Sequence, residues 1–236
     1  MARPRSELAI LVGLALLHFC PVASGQAEPI DLSFRVLSVG AGAFDGIHCQ
    51  PEPGEVEELS FSRFLPSAPL RYRGPAGIIF FRLELSPTGE PRRIPVARVE
   101  VPQGVERCLF FFRKGDDGAL PYAIDWIDDS PGAFPLDSMV LLNATGRNLI
   151  ARVGNEELAL PPGSSPAIPF GKIRNREIPV KLAISTASGA KLAFGNTIDA
   201  GSGGRVVLVL EAPRRAGSLR IRTYAIIERE PLPSSP

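Results

Sequence analysis

Short apolar runs separated by glycine and proline characterise residues 28–229, and almost no helical period is present. In Ser218–Tyr224, Leu219 and Ile221 fall on one face of an extended strand, and Arg220 and Arg222 fall on the other. The runs Phe110–Phe112 and Val206–Leu210 are apolar at every position, which is typical of central strands. The pattern therefore predicts an all-β chain.

The predicted strands form two sets. The first set comprises Leu32–Val39, Val56–Ser62, Pro69–Arg73, Gly77–Leu85, Ile94–Val101, Arg107–Arg113 and Tyr122–Ile127. The second set comprises Ser138–Asn143, Asn148–Val153, Glu157–Leu160, Ala167–Phe170, Ile178–Ser185, Lys191–Phe194, Arg205–Glu211 and Leu219–Ile227. Hairpin turns are predicted at Asp116–Gly118 and at Gly154-Asn155.

The spacing of these strands predicts two tandem Ig-like antiparallel β-sandwich domains, because turn signals recur every 8 to 12 residues or so. The first domain is expected over residues 28–127 and the second over 136–229. Between them, residues 128–135 are polar and flanked by proline, and we interpret them as a linker. Residues 230–236 are expected to be a disordered tail.

Residues 1–25 have the pattern of a secretory signal peptide. Arg3 and Arg5 precede the apolar stretch Leu8–Cys20, and small residues follow at Pro21–Gly25. Phe19 does not fit the small residue that lipidation of Cys20 would need. The remaining chain is therefore expected to be exported without a lipid, as a periplasmic or secreted protein.

The balance of charge excludes some partners. The 26 basic and 25 acidic side chains nearly cancel, whereas nucleic-acid and anionic-membrane binding depend on basic surfaces. No apolar run after the signal is long enough to span a membrane. Arginine outnumbers lysine, and alanine, glycine and proline are abundant, which indicates a GC-rich bacterial genome. We therefore expect neither a nucleic-acid partner nor a transmembrane segment in the mature chain.

Cys49 and Cys108 are the two cysteines outside the predicted signal. An even number of cysteines in an exported protein predicts one disulfide between them. The alternative is a pair of independent buried thiols.

Catalytic and cofactor patterns are weak. His48 is the single histidine of the mature chain, and no nucleophile elbow accompanies it. The glycine-rich loop Gly40–Gly46 is followed by prolines rather than by the helix that a dinucleotide site requires. We expect no enzyme, no cofactor and no metal. The alternative of a calcium site rests on the aspartates 116, 117, 125, 128 and 129, which turn chemistry also explains.

Tyr122 and Trp126 are the candidate ligand-binding residues, because exposed aromatic rings of a β-sandwich can stack on sugars. They alternate with Ile124 at period two, so the simpler interpretation places Trp126 in the core or at the domain interface.

Two resemblances follow from particular residues. Phe134–Asn143 and Glu157–Gly163 resemble the start of the second domain in uncharacterised exported bacterial proteins, which implies a β-sandwich and an envelope setting. The two-domain layout is similar to that of periplasmic pilus chaperones, although Asn143–Thr145 lacks the proline of their N-P-T motif. Glu57–Phe61 also resembles Glu156–Leu160, as a duplication would predict.

Together these features predict an exported, non-enzymatic binding or structural protein of the bacterial cell envelope. Its partner would be an unknown envelope protein or a glycan. The alternatives are a carbohydrate-binding module and a periplasmic pilus-type chaperone.

Overall fold

The computed structural model describes residues 28–115, 118, 120–170, 177–187, 189–201, 203–215 and 217–229. The predicted signal peptide, the predicted tail and the aspartates at 116 and 117 lie outside these residues. Every regular element of the described chain is a β-strand, as predicted. No helix in that part of the chain has the length and apolarity needed to cross a membrane.

Most strands follow the predicted runs, and two short strands, Ile47–Cys49 and Gly163–Ser164, are added. The strand predicted at Lys191–Phe194 extends over Gly189–Asp199, and the strand predicted from Leu219 begins only at Arg222. The first half contains β1 (Ile30–Ser38), β2 (Ile47–Cys49), β3 (Glu57–Leu59), β4 (Leu70–Gly74), β5 (Gly77–Leu85), β6 (Pro91–Glu100), β7 (Arg107–Lys114) and β8 (Tyr122–Asp128). The second half contains β9 (Ser138–Ala144), β10 (Leu149–Val153), β11 (Glu156–Leu160), β12 (Gly163–Ser164), β13 (Ile168–Pro169), β14 (Glu177–Thr186), β15 (Gly189–Asp199), β16 (Gly204–Glu211) and β17 (Arg222–Arg229).

The first half consists of two sheets around one core. Their strand orders are β4-β1-β7-β8 and β3-β2-β5-β6. Phe34, Phe80 and Phe110 from both sheets are buried in this first core. The centroids of Phe34 and Phe110 lie 4.9 Å apart, a separation typical of interacting aromatic rings. The phenylalanines of the apolar runs thus hold the two sheets together.

The second half has the same construction. Its sheets have the orders β12-β9-β16-β17 and β11-β10-β14-β15, and β13 also pairs with β9. Leu141, Val180 and Leu208 are buried in the second core between them. Gly154, at φ 60°, starts the two-residue turn between β10 and β11, which confirms the predicted hairpin.

The two halves repeat one topology. The first strand of each half lies inside a sheet and pairs in parallel with a late strand, β1 with β7 and β9 with β16. The other strand pairs of the described chain are antiparallel. A parallel pair requires a crossover connection, and the strands of the other sheet provide it here. These two parallel pairs depart from the predicted antiparallel sheets, because local sequence does not reveal long-range pairing.

The two sheets that contribute no described residue to the core between the halves, β3-β2-β5-β6 and β11-β10-β14-β15, are the outer sheets, and they also match in detail. Glu57–Leu59 (β3) and Glu156–Leu160 (β11) occupy the same edge position, as their similar sequences suggest. The last strand of each outer sheet carries a β-bulge, at Val96 in β6 and at Ala193 in β15. The two halves therefore share irregular features as well as strand order.

A buried serine repeats in the same place. The backbone N–H of Val36 in β1 donates to Ser67 Oγ at 3.0 Å, and that of Leu141 in β9 donates to Ser165 Oγ at 2.9 Å. Each serine N–H in turn donates to the carbonyl of the same strand residue. These bonds make Val36 and Leu141 equivalent positions of the two halves. The strand registers then give the equivalent positions of β7 and β16.

A third core joins the two halves. Alternate residues of β1 and β7 point into the first core, while Leu37, Leu109 and Phe111 between them point into the third. Val140 and Val207 contribute from the second half. The continuous apolar runs are therefore explained by sheets that are covered on both faces. The result is a stack of four sheets with a core between each neighbouring pair.

The third core uses equivalent positions of the two halves. Four pairs of positions aligned by the serine bonds and the strand registers contribute to it. They are Leu37 and Leu142, Leu109 and Val207, Phe111 and Val209, and Ile127 and Ile226.

The connection from β8 to β9 is packed against the two inner sheets. Phe134 is buried in the third core, and Asp129 is also buried. Residues 128–135 thus contribute side chains to the junction between the halves.

Asp129 is the buried centre of an ionic network. Its carboxylate lies 3.0 Å from Arg35 and also contacts Arg205 and Arg107. Glu228 contacts Arg35 and Arg205 at 2.7 Å. The registers make Arg107 equivalent to Arg205, and Asp129 equivalent to Glu228. Two equivalent ion pairs, Arg107–Asp129 of the first half and Arg205–Glu228 of the second, therefore meet at one end of the junction.

Candidate functional site

A cleft of about 560 Å³ opens where the edge of β8 meets the turn around β12. We call it the Trp126 cleft. One wall is strand β8 of the first half, and the other belongs to the second half. Its principal lining residues are Ile124, Trp126, Ala133, Val140, Ser164 and Ala167.

Trp126 and Tyr122 lie on the same face of β8. Both are half-buried and pack against the first core together with Ile124, as their alternation predicts. Trp126 also lines the cleft, so one side chain contacts both the core and the open space. It is the single tryptophan of the chain.

Tyr122 is fixed by its hydroxyl. The O–H donates to the carbonyl of Ala43 at 2.6 Å and accepts a hydrogen bond from Arg82 at 2.9 Å. Its ring lies 5.2 Å from that of Phe44, centroid to centroid. Tyr122 is not among the residues lining the Trp126 cleft, so of the two candidate stacking residues only Trp126 faces this site.

The β8 backbone presents a partly used edge to the cleft. Within the described chain, β8 forms a ladder with β7 alone. Ser164 from β12 donates its hydroxyl to the carbonyl of Trp126 at 3.1 Å. Polar backbone groups and the indole are therefore available on the same wall.

Two carboxylates line the same wall. Asp125 forms an ion pair with Arg113 at 3.0 Å, and Asp128 accepts a hydrogen bond from the N–H of Ser130. Asp125 is therefore engaged in an ion pair, and Asp128 stabilises the turn that follows β8. The cleft can thus offer an aromatic face and a strand edge to a ligand, beside two carboxylates that already have partners.

The equivalent place on the other half is filled by the chain itself. Tyr224 of β17 corresponds to Asp125 of β8 in the strand registers. The guanidinium of Arg63 lies 4.8 Å from the centre of its ring, and the Phe64 ring lies 5.5 Å away. Burial, and then the charge of Glu211, raise the pKa of the Tyr224 hydroxyl. The Trp126 cleft therefore corresponds to a covered position in the other half.

The candidate disulfide residues lie in the first core. Cys49 and Cys108 are both buried there as free thiols. Burial is the main reason that each thiol has a pKa raised to about 12, so both are protonated at neutral pH. A disulfide between them stays a prediction.

His48 and the aspartates do not come together as a metal site. No group of three or more histidine, cysteine, aspartate or glutamate side chains within the described ranges could hold a metal ion. His48 lies on β2, where its ring stacks on Phe81, with ring centroids 6.0 Å apart. Asp129 serves the ionic network, and the aspartates at 116 and 117 fall outside the described residues.

Sequence reasoning missed the Asp129 network and the wall of the cleft from the second half. Arg35 and Arg205 are 94 and 76 residues away from Asp129 along the chain. No local spacing links positions so far apart. The buried Asn143 holds the turn that follows β9, since its amide donates to the carbonyls of Arg147 and Leu160.

No protein-family model and no curated protein matches this sequence.

Proposed function

We propose that this chain is an exported, non-enzymatic binding protein of the bacterial cell envelope that uses the Trp126 cleft to hold its partner. In this proposal residues 1–25 direct export, to the periplasm or the exterior, and are removed. The two halves serve as tandem Ig-like β-sandwich domains over 28–127 and 136–229.

The observation that carries the proposal is the position of Trp126 at the junction of the halves. A half-buried aromatic ring with one face in a cleft supplies contact area at low entropic cost. The rigid third core fixes both walls, so little ordering of the site is needed on binding.

A protein partner is the first candidate, and a photo-cross-linking residue can test it. Placed at the exposed Ala133, the probe lies in the cleft, whereas placed at Leu85 it lies on β5 of the outer sheet. In the native host we expect one envelope protein to be captured from position 133 and not from position 85. Ala167 also lines the cleft, and a probe placed there should capture the same envelope protein. The substitution Ala133→Trp, which fills the cleft from its exposed rim, is expected to abolish capture by the probe at position 167.

A glycan is the second candidate, favoured by the half-exposed indole. The fluorescence of the single tryptophan reports directly on the cleft, so cell-wall oligosaccharides can be titrated against the intact protein. Ligand-dependent protection of Trp126 from quenching supports glycan binding and should be lost in Ala133→Phe, which narrows the cleft and leaves Trp126 the single tryptophan. Equal capture from positions 133 and 85, together with unchanged fluorescence, would contradict the proposed site.

A further inference from the structure

A second cleft, within the second half, is lined with arginine. It has a volume of about 580 Å³ and lies between β15 and the loop joining β16 to β17. Arg214, Arg215, Arg220 and Arg222 surround it, with Phe194 and Pro213. We call it the arginine cleft. It shares no lining residue with the Trp126 cleft.

The positive charge of this cleft is largely uncompensated. Arg222 pairs with the buried Glu211 at 2.9 Å, and Glu211 also binds Arg63. The described residues supply no carboxylate partner for the exposed Arg214, Arg215 and Arg220. The segment 212–221 itself contains three arginines and no acidic residue.

The equivalent loop of the first half has the opposite character. Residues 115–121, between β7 and β8, contain two aspartates and no basic residue. The repeated topology does not require arginine in this loop, since the first half forms it without any. The charge therefore distinguishes one copy of the hairpin from the other.

The arginine loop is anchored to the fold. Ile221 is buried in the second core, and its N–H donates to the carbonyl of Ala193 at 3.2 Å. Ala193 is the bulged residue of β15, so its carbonyl is turned out of the normal ladder. Arg222 Nε donates to the carbonyl of Ala212, and Ser218 N–H donates to that of Arg215. These bonds fix the backbone of the loop and the guanidinium of Arg222 before any ligand arrives.

We propose that the arginine cleft binds an acidic polysaccharide. Guanidinium groups form paired hydrogen bonds with planar or tetrahedral oxyanions such as carboxylate and sulfate. The half-buried ring of Phe194 supplies an apolar surface for the C–H face of a sugar ring. The formal net charge of the whole chain is only +1, which disfavours the strongly basic footprint of a nucleic-acid-binding protein.

Binding of defined polymers tests the proposal. Intact protein is titrated with heparin oligosaccharides, which are sulfated, and with polygalacturonate, which carries carboxylates. Neutral dextran is the uncharged control. We expect both acidic polymers to bind and their affinity to fall with rising salt, because the contacts are ionic. Binding of dextran with equal affinity would overturn the proposal.

Two double variants of equal charge separate the cleft from the overall charge. R214Q/R215Q removes two arginines of the cleft, and R71Q/R73Q removes two exposed arginines from β4. The first is expected to weaken binding of acidic polysaccharide about tenfold or more, and the second less than about twofold. Equal losses in the two variants would show a nonspecific charge effect and would overturn the proposal.

Other polyanions are the remaining comparison. If single-stranded DNA or vesicles rich in phosphatidylglycerol bind through Arg214 and Arg215 while both glycans do not, the assignment to polysaccharide is wrong. Ala133→Trp should leave binding at this cleft unchanged. The arginine cleft and the Trp126 cleft therefore succeed or fail in separate experiments.

Discussion

Individual side chains at the junction show how buried charge is accommodated. Burial alone would raise the pKa of Glu228, but its hydrogen bonds and ion pairs with Arg35 and Arg205 outweigh it, and the net pKa lies below the ordinary value. A buried carboxylate is tolerated only with such partners. The network therefore makes the junction between the halves sensitive to acid.

Acid should weaken this junction through Glu228. Because the folded-state pKa of Glu228 is lowered, its contribution to stability is present above its ordinary value of 4.5 and is lost as pH falls through the folded-state pKa. Chemical denaturation measured at a series of pH values should show a flatter acid limb for Glu228→Gln than for the wild type. Glu100→Gln is the control, since its pair with Arg98 lies on the surface. An unchanged acid limb in Glu228→Gln would contradict this role.

The two core thiols should resist alkylation. A pKa of about 12 leaves almost no thiolate at pH 8, and burial blocks access to both Cys49 and Cys108. Iodoacetamide labelling, followed peptide by peptide with mass spectrometry, should be at least about a hundredfold slower in folded than in unfolded protein. Labelling of unfolded protein that appears only after reduction would show a disulfide instead. Rapid labelling of the folded protein would contradict the burial.

At the scale of elements, the chain repeats one strand plan with shared irregularities, with eight strands in the first half and nine in the second. Ser67 ties β1 to the segment that precedes the edge strand β4, and Ser165 ties β9 to the segment between β12 and β13. Each hydroxyl also donates to a carbonyl one residue further on. These bonds therefore satisfy backbone groups that no neighbouring strand reaches.

Removing either serine hydroxyl should have the same effect. Ser67→Ala leaves the buried N–H of Val36 without its acceptor, and Ser165→Ala does so for Leu141. We expect a loss of about 1–3 kcal/mol in the free energy of unfolding in each case, measured by urea denaturation. Ser86→Ala, which removes a solvent-exposed hydrogen bond from the Glu90 N–H in the turn between β5 and β6, should cost much less. A large difference between Ser67→Ala and Ser165→Ala would argue against their equivalence.

Local sequence predicted the strands well and their partners poorly. Gly77–Leu85 has the predicted bounds, and alternation placed Trp126 correctly against the core and at the junction. The three-residue strand Ile47–Cys49 was missed because it is too short to show a period. The parallel pairing of β1 with β7 joins segments about 70 residues apart, and no local pattern encodes it.

At the scale of the whole molecule, four sheets share three cores. The inner sheets are covered on both faces, so their strands tolerate few polar residues. Buried apolar area at the third core couples the halves more firmly than a mobile linker would. We therefore expect a single cooperative unfolding transition.

Truncating the third core should weaken the molecule as a whole. Leu142→Ala removes a fully buried side chain and should cost about 2–5 kcal/mol. Leu85→Ala is a matched change at a side chain that is 78% exposed and should cost less than about 0.5 kcal/mol. Calorimetry should show one transition in the wild type and in Leu85→Ala. If Leu142→Ala is as stable as Leu85→Ala, the third core does not hold the halves together.

Phe111 and Val209 occupy equivalent positions of the two halves in the third core, and this difference in size has a consequence for how such a chain can evolve. In a homodimer of identical single sandwiches, a substitution would appear on both sides of the interface, giving two phenylalanines or two valines at these equivalent positions. A fused chain can place a large ring on one side and a small side chain on the other. The same freedom extends to the surface, where one copy of a hairpin carries arginines and the other aspartates. Covalent linkage thus allows each half to specialise while both keep one scaffold.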